Sequence, residues 1–367
     1  ECWVWDEQVA HGDKHIAAKR RRFVCVRITR LAGINLNRFA FDMDVTWNAF
    51  FTDAELNIYS RYGGRDGGEP DARMSVASLL RTMDEVLVEH GRATSAKRFQ
   101  PVRAGRQVPR DIPLLKANHR GCIRCHIARE YQLLQSFHDK TFTRRELFRF
   151  PPPEALGVRI DHKHGHQVQS VDPKSVAASA GFRPGDVITR VENVPVHSEY
   201  DIRFALDRTT EKSRGGRPIT WTVQRPVATG DPRTVTLSLA PKNGWWVYDI
   251  GWKMSLRSAP FRTGMRGYSL APSQRKDLGI SEKTLGVKIS SIYSDGFGRN
   301  MGLQKRDVVV GIPEPIGRVR IFDTFLGHLL QRHRPGDKVR LTVLRKGKKI
   351  TVTGRFPEWF TEETSVP

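Results

Sequence analysis

The chain has 367 residues, 38% hydrophobic and 27% charged, a globular composition that excludes a disordered polymer. Its formal net charge is +22, from 61 Lys and Arg against 39 Asp and Glu, yet no helix-turn-helix or RNA-binding signature accompanies that charge, so nucleic acid is not an expected partner. No run of about 18 apolar residues occurs, so no membrane-spanning helix is expected either, and the length predicts two or three domains.

The sequence opens at Glu1 without a methionine or a charged-then-apolar leader, as expected if upstream sequence has been removed. The β-branched run FVCVRIT (residues 23–29) predicts a buried strand, after a helical stretch ending in the basic cluster Lys19 to Arg22. Turn residues at Asp53–Asn57 predict a hairpin between strands near Trp47–Phe51 and Ile58–Arg61. Val76, Leu79, Leu80, Met83, Val86 and Leu87 recur at helical spacing, with Ser75 as N-cap and Gly91 as the stop.

Helix, strand, hairpin and helix follow in the order of a thioredoxin-like domain, which residues 1–92 resemble. The resemblance stops short of the chemistry, because Cys2 has no partner at C-x-x-C spacing and Asp44-Val45-Thr46 stands where the family carries a proline. Cys25, inside the apolar run, is expected in the core.

Residues 93–150 predict a basic connector: 13 basic and 4 acidic residues lie between Lys97 and Arg149. Within it, Cys122-Ile-Arg-Cys125-His126 fits C-x-x-C-H, the attachment pattern of one covalent haem c. Two thiols would take the vinyl groups and His126 the iron, with His138 the preferred sixth ligand over His119 and Met43. Zinc is the first competitor, but no second half of such a site has matching spacing. A disulfide between Cys122 and Cys125, or two thiols, is the other.

The triple proline at Pro151–Pro153 predicts a boundary. Beyond it a pattern occurs twice: LGVRI, AGFRPGDVITRV and an amphipathic helix at 156–208, then LGVKI, MGLQKRDVVVGI and a helix at 285–332. Both copies resemble PDZ domains, at residues 151–242 and 281–367, with a Trp-rich bridge at 243–280. The second lacks the glycine of the turn before its Asp307.

The PDZ resemblance implies capture of protein C-termini or internal peptides by strand addition, with backbone donors at Leu156, Gly157 and Val158 and at Leu285, Gly286 and Val287. Phe204 and Leu326 would line the two side-chain pockets. His162, His164 and His166 alternate, as metal ligands on a strand or as a solvated hairpin tip.

The expected fold class is therefore multidomain: an α/β thioredoxin-like domain, a short helical haem-binding segment and two α+β PDZ domains. The order of parts resembles bacterial envelope proteins that combine these modules. It implies an extracytoplasmic monohaem protein, in the periplasm or cell envelope, passing electrons to an acidic redox partner or sensing a small oxidant. The alternative is a non-redox PDZ scaffold with Cys122–Cys125 as a staple. No catalytic residue is predicted, and no G-x-S-x-G or G-D-S-G occurs; turnover would arise only as peroxidase-like activity of a five-coordinate iron.

Overall fold

A computed structural model describes residues 7, 13–69, 71–92, 105–212, 217–256, 264–292, 297–313, 322–334 and 336–356. The chain divides into two compact units, the first made of Glu1–Asp111, Arg120–Arg124 and Phe148–Tyr248, the second of Ile112–His119, Cys125–Leu147 and Asp249–Pro367.

The first unit begins with helix α1 (Lys14–Arg20), capped by the Asp13 carboxylate, which accepts from the N–H groups of His15 and Ile16. Strands β1 (Asn48–Thr52) and β2 (Ile58–Gly63) form the expected antiparallel hairpin, its turn held by Asn57 N–H donating to Asp53. Helix α2 (Val76–Arg92) is capped by Ser75, whose Oγ accepts from Ser78 N–H, but it runs through Gly91 instead of ending there. Ile16, Phe51, Tyr59, Tyr62, Leu79, Met83 and Val86 close one core between these elements.

Two expectations fail here. Among the described residues, 24–30 lie outside every sheet with exposed side chains, Cys25 included, and β1 and β2 make a sheet of two strands. A thioredoxin-like sheet is therefore not formed by the described residues, because its central strand never joins the hairpin. Cys2 lies outside the described residues.

Next in the chain are two helices of the second unit, α3 (Pro113–Asn118) and α4 (Cys125–His138), where Leu114 N–H donates to Gln135 Oε1 at 2.9 Å. The first unit resumes with β3 (Val158–Ile160), β4 (Val168–Val171), α5 (Val176–Ser179), β5 (Val187–Val191), β6 (Val194–Pro195), α6 (Glu199–Lys212), β7 (Ile219–Arg225) and β8 (Arg233–Leu239). β3 pairs with β4, and Val168 exchanges backbone bonds with Gly185 and Asp186, which continues the order to β5, β7 and β8. Leu156, Val158, Ile160, Ile188, Ile202, Leu206 and Trp221 fill the core of this module.

In the second unit β9 (Met265–Ser269), α7 (Pro272–Asp277), β10 (Val287–Ile292), α8 (Phe297–Asn300), β11 (Val308–Gly311), α9 (Phe322–Arg332), β12 (Lys338–Arg345) and β13 (Lys348–Arg355) build one sheet of order β13-β12-β11-β10-β9. That order repeats the first module, strand for strand. In the first, Arg225 makes a two-pronged bond to Asp186 and donates to Gly181 O; in the second, Arg345 does the same to Asp307 and Gly302 O. The turn glycine missing from the second copy is replaced without a change of conformation: Arg306 holds φ +78° where Gly185 holds +88°. Because β9 is part of this sheet, the second module starts inside the segment expected to be a bridge.

Candidate peptide-binding site

Among the described residues each module ends in a strand with one partner: β3 pairs with β4 alone and β9 with β10 alone. In β3 the alternation of an antiparallel ladder gives Arg159 to β4 and turns the N–H and C=O of Val158 and Ile160 to the other edge. Register makes the two edges equivalent. Val158, Arg159 and Ile160 oppose Val171, Ser170 and Val168, and Met265, Arg266 and Gly267 oppose Ile292, Ser291 and Ile289, each pair of strands carrying its irregularity at the same step. A left-handed glycine precedes each edge strand, Gly157 at φ +90° and Gly264 at +65°. The outward side chain at the centre of each is an exposed arginine, Arg159 or Arg266, and Arg159 has Asp172 at 3.5 Å.

This geometry redistributes the predicted residues. Leu156 sits buried in a 3-10 turn (Pro153–Leu156), and Gly157 N–H donates to Glu154 O at 3.0 Å, so that donor is turned inward. Gly157 is required for another reason as well, since a Cβ there would stand 2.1 Å from Ser175 Cβ. Val158 has its side chain in the core and its backbone on the edge. Leu285, Gly286 and Val287 do not form a capture loop: they lead into β10, which is paired on both sides, and Arg275 packs over Gly286 with its guanidinium 2.7 Å from where a Cβ would be. Their counterparts in the first module are His164, Gly165 and His166, because Ile289 and Val168 make equivalent bonds to Asp307 and Asp186. Counting back from the two A/M-G-F/L turns, whose spacing to these strands is fixed, would have revealed the shift.

Phe204 is not an open pocket wall. The Arg61 guanidinium lies 3.5 Å from its ring centroid, and Arg61 Nε donates to Ala40 O. Behind α6, Asp201 accepts from Ser60 Oγ, Arg61 N–H and His197 N–H, and Asp207 holds Arg149 in a two-pronged bond. The hairpin thus braces one side of α6. Burial lowers the Arg61 guanidinium to about 10, although Asp201 opposes the shift. In the second module Leu326 is half-buried, and Gly327 of α9 packs against the backbone of Gly251, 2.2 Å from where its Cβ would be.

The three alternating histidines serve three separate carboxylates: His162 faces Glu199 at 3.1 Å, His164 faces Asp161 at 2.7 Å, and His166 faces Glu85 at 3.2 Å. His197 bridges Glu85 and Glu89 of α2. Burial alone would lower the His197 imidazole, but its bonds to Glu85 and Glu89 raise it to about 10. Burial would raise Glu85, and the bonds from His166 and His197 bring it instead to about 2.

The two histidines expected as axial haem ligands do not come together. His126 and His138 stand at opposite ends of α4, twelve residues apart, so at a rise of 1.5 Å per residue they are about 18 Å apart along one axis and cannot share an iron. His138 is exposed and bonds Asp139 at 2.9 Å, His119 lies beside the Tyr131 ring at 6.0 Å between centroids, and Met43 is buried in the first unit. The axial pair expected from the sequence therefore does not fit the group. Among the described residues no disulfide forms, Cys122 and Cys125 included, and no cluster of three or more His, Cys, Asp or Glu is placed to hold a metal.

Comparison with known proteins points the same way. Over 158 residues the chain is 28% identical to the periplasmic pH-dependent serine endoprotease DegQ of Escherichia coli (strain K12), an alignment covering 43% of this chain and 30% of that one. It is 24% identical over 157 residues to the periplasmic serine endoprotease DegP of Salmonella typhimurium (strain LT2), covering 43% and 28%. The chain thus spans less than a third of the length of these relatives. Among solved structures it is similar to the HtrA-type protease AlgW with a decapeptide, at 20% identity, 36% and 40% coverage and a TM-score of 0.21. The likenesses to DegQ and DegP overturn the electron-transfer and redox-sensing reading: these relatives are endoproteases, and the peptide-binding alternative fits them better. The PDZ domain family matches residues 167–214, from the start of β4 through α6. The chain contains a PDZ domain in its first unit, and the relatives it is similar to are periplasmic.

Proposed function

We propose that the protein is an extracytoplasmic peptide-binding scaffold that adds peptides as a strand to β3 of its PDZ domain and to β9 of the second, topologically matching module. The observation that carries this is the open edge of each strand, set in the same register after a left-handed glycine. An unpaired strand edge is a template for a further strand, and side chains alternating along it select the partner. The periplasmic relatives support the compartment.

Arg159 and Arg266 set the selectivity. Side chains directly opposite on a sheet face interact, and opposite charges across the strands each contribute about 0.2–1 kcal/mol. Peptides with an acidic residue facing these arginines are therefore favoured. The test is fluorescence anisotropy of labelled decapeptides with Glu or Lys at the outward positions, against the full chain and Arg159→Glu, Arg266→Glu and the double variant. Saturable binding that prefers Glu, with the preference reversed in the double variant, supports the reading. Absence of saturable binding by every peptide removes it.

A further inference from the structure

Residues 24–30 (VCVRITR) are exposed throughout and belong to neither helix nor strand. Their ends are fixed: Phe23 packs edge-on against Phe51 at 5.8 Å between centroids, and Leu31 N–H donates to Ile123 O at 3.3 Å. Between these anchors no backbone-to-backbone bond joins the segment to another described residue. Val24, Val26 and Ile28 are 95%, 79% and 55% exposed. Two apart in sequence, they share one face of an extended chain, with Cys25, Arg27 and Thr29 on the other.

Soluble proteins seldom leave β-branched side chains and backbone groups uncovered together, because such a segment templates strand pairing. Charge narrows the partner. Lys19, Arg20, Arg21, Arg22, Arg27 and Arg30 are basic and no acidic residue occurs from Lys19 to Arg30; Lys19 is bonded to Asp84, and Arg20 and Arg27 have interactions of their own within the chain.

We propose that residues 24–29 form a docking strand for an extended, acidic segment of a partner protein, which pairs with this backbone and covers Val24, Val26 and Ile28. An added strand meets the segment's N–H and C=O groups while acidic side chains meet the flanking arginines. A second copy is disfavoured because each chain carries a net charge of +22. A lipid surface would answer the arginines and the aliphatic face but not the backbone groups. The inference stands apart from peptide capture at β3 and β9.

The experiment uses the full chain and a fluorescein-labelled, N-acetylated, C-terminally amidated octapeptide of alternating Val and Glu, which offers no terminal carboxylate. Saturable binding is expected, weakened tenfold or more both by high salt and by the triple change Val24→Ser, Val26→Ser, Ile28→Ser, with amide exchange slowed at residues 24–30. These three sites are exposed, and an unchanged near-UV circular dichroism spectrum shows that the variant is folded. Equal affinity of the triple variant, or slowed exchange only at β3 or β9, overturns the proposal. So does the absence of peptide binding, whether alone, with a concentration-dependent dimer that the triple variant abolishes, or with sedimentation on phosphatidylglycerol vesicles that it abolishes.

Discussion

Asp201 is a buried carboxylate on α6 whose acceptors hold Ser60 Oγ, Arg61 N–H and His197 N–H. Replacing it by alanine strands three donors and removes the counter-charge nearest Arg61, so Asp201→Ala is expected to destabilise the first unit by about 3–5 kcal/mol, measured by urea unfolding. Arg61→Met is the instructive contrast. The guanidinium is fully buried, and exchange of a buried charge for an apolar side chain of similar length is often neutral or stabilising. A loss as large as that of Asp201→Ala would show that the contact with Phe204 outweighs the cost of burying the charge. His197 and Glu85 add a pH signature. With His197 raised from 6.5 to about 10, its contribution is complete below pH 6.5 and is lost as pH rises through 10. With Glu85 lowered from 4.5 to about 2, its contribution is present above pH 4.5 and lost as pH falls through 2. The stability difference between the wild type and His197→Gln, followed by thermal unfolding across pH, should therefore shrink in alkali; a difference independent of pH up to 10 contradicts the pairing.

At the scale of elements, the features written in turn chemistry and periodicity were legible. Asp53 to Asn57 announced the hairpin, the spacing of Leu79, Met83 and Val86 announced α2, and the repeated glycine turns announced two modules of one topology. What misled was a phrase common to both copies. Leu-Gly-Val precedes the open strand β3 in the first module but enters the interior strand β10 in the second, and a local triplet carries no information about which neighbours pair with it. FVCVRIT misled in a related way: its composition describes a strand, but among the described residues it pairs with no other strand. The C-x-x-C-H phrase likewise fixed three residues and left the remaining ligand to a helix that carries His138 away from His126. Gly157 illustrates a further consequence for experiments. Because its φ is +90° and Ser175 occupies the space of a side chain, Gly157→Val is expected to unfold the module, seen as loss of near-UV circular dichroism, before any effect on peptide capture can be read. Changes at Arg159, whose side chain points to solvent, separate binding from folding.

For the whole molecule, the +22 charge first invited an acidic redox partner. The structure gives it a more local meaning, with Arg159 and Arg266 on the two open edges and the Lys19–Arg30 run beside an exposed strand-like segment. Long-range attraction of this kind speeds encounter with acidic peptides and fades as salt rises. Resemblance to DegQ and DegP and the PDZ match account for about half of the chain at most, and the N-terminal hairpin that braces α6 is outside the PDZ match at 167–214. Strand addition at β3 and β9 is tested most directly by amide hydrogen exchange of the full chain with and without a saturating acidic peptide. Slowed exchange at Val158 and Ile160, and at their counterparts Met265 and Gly267, is the predicted result; saturable binding that leaves these four amides unchanged would contradict it.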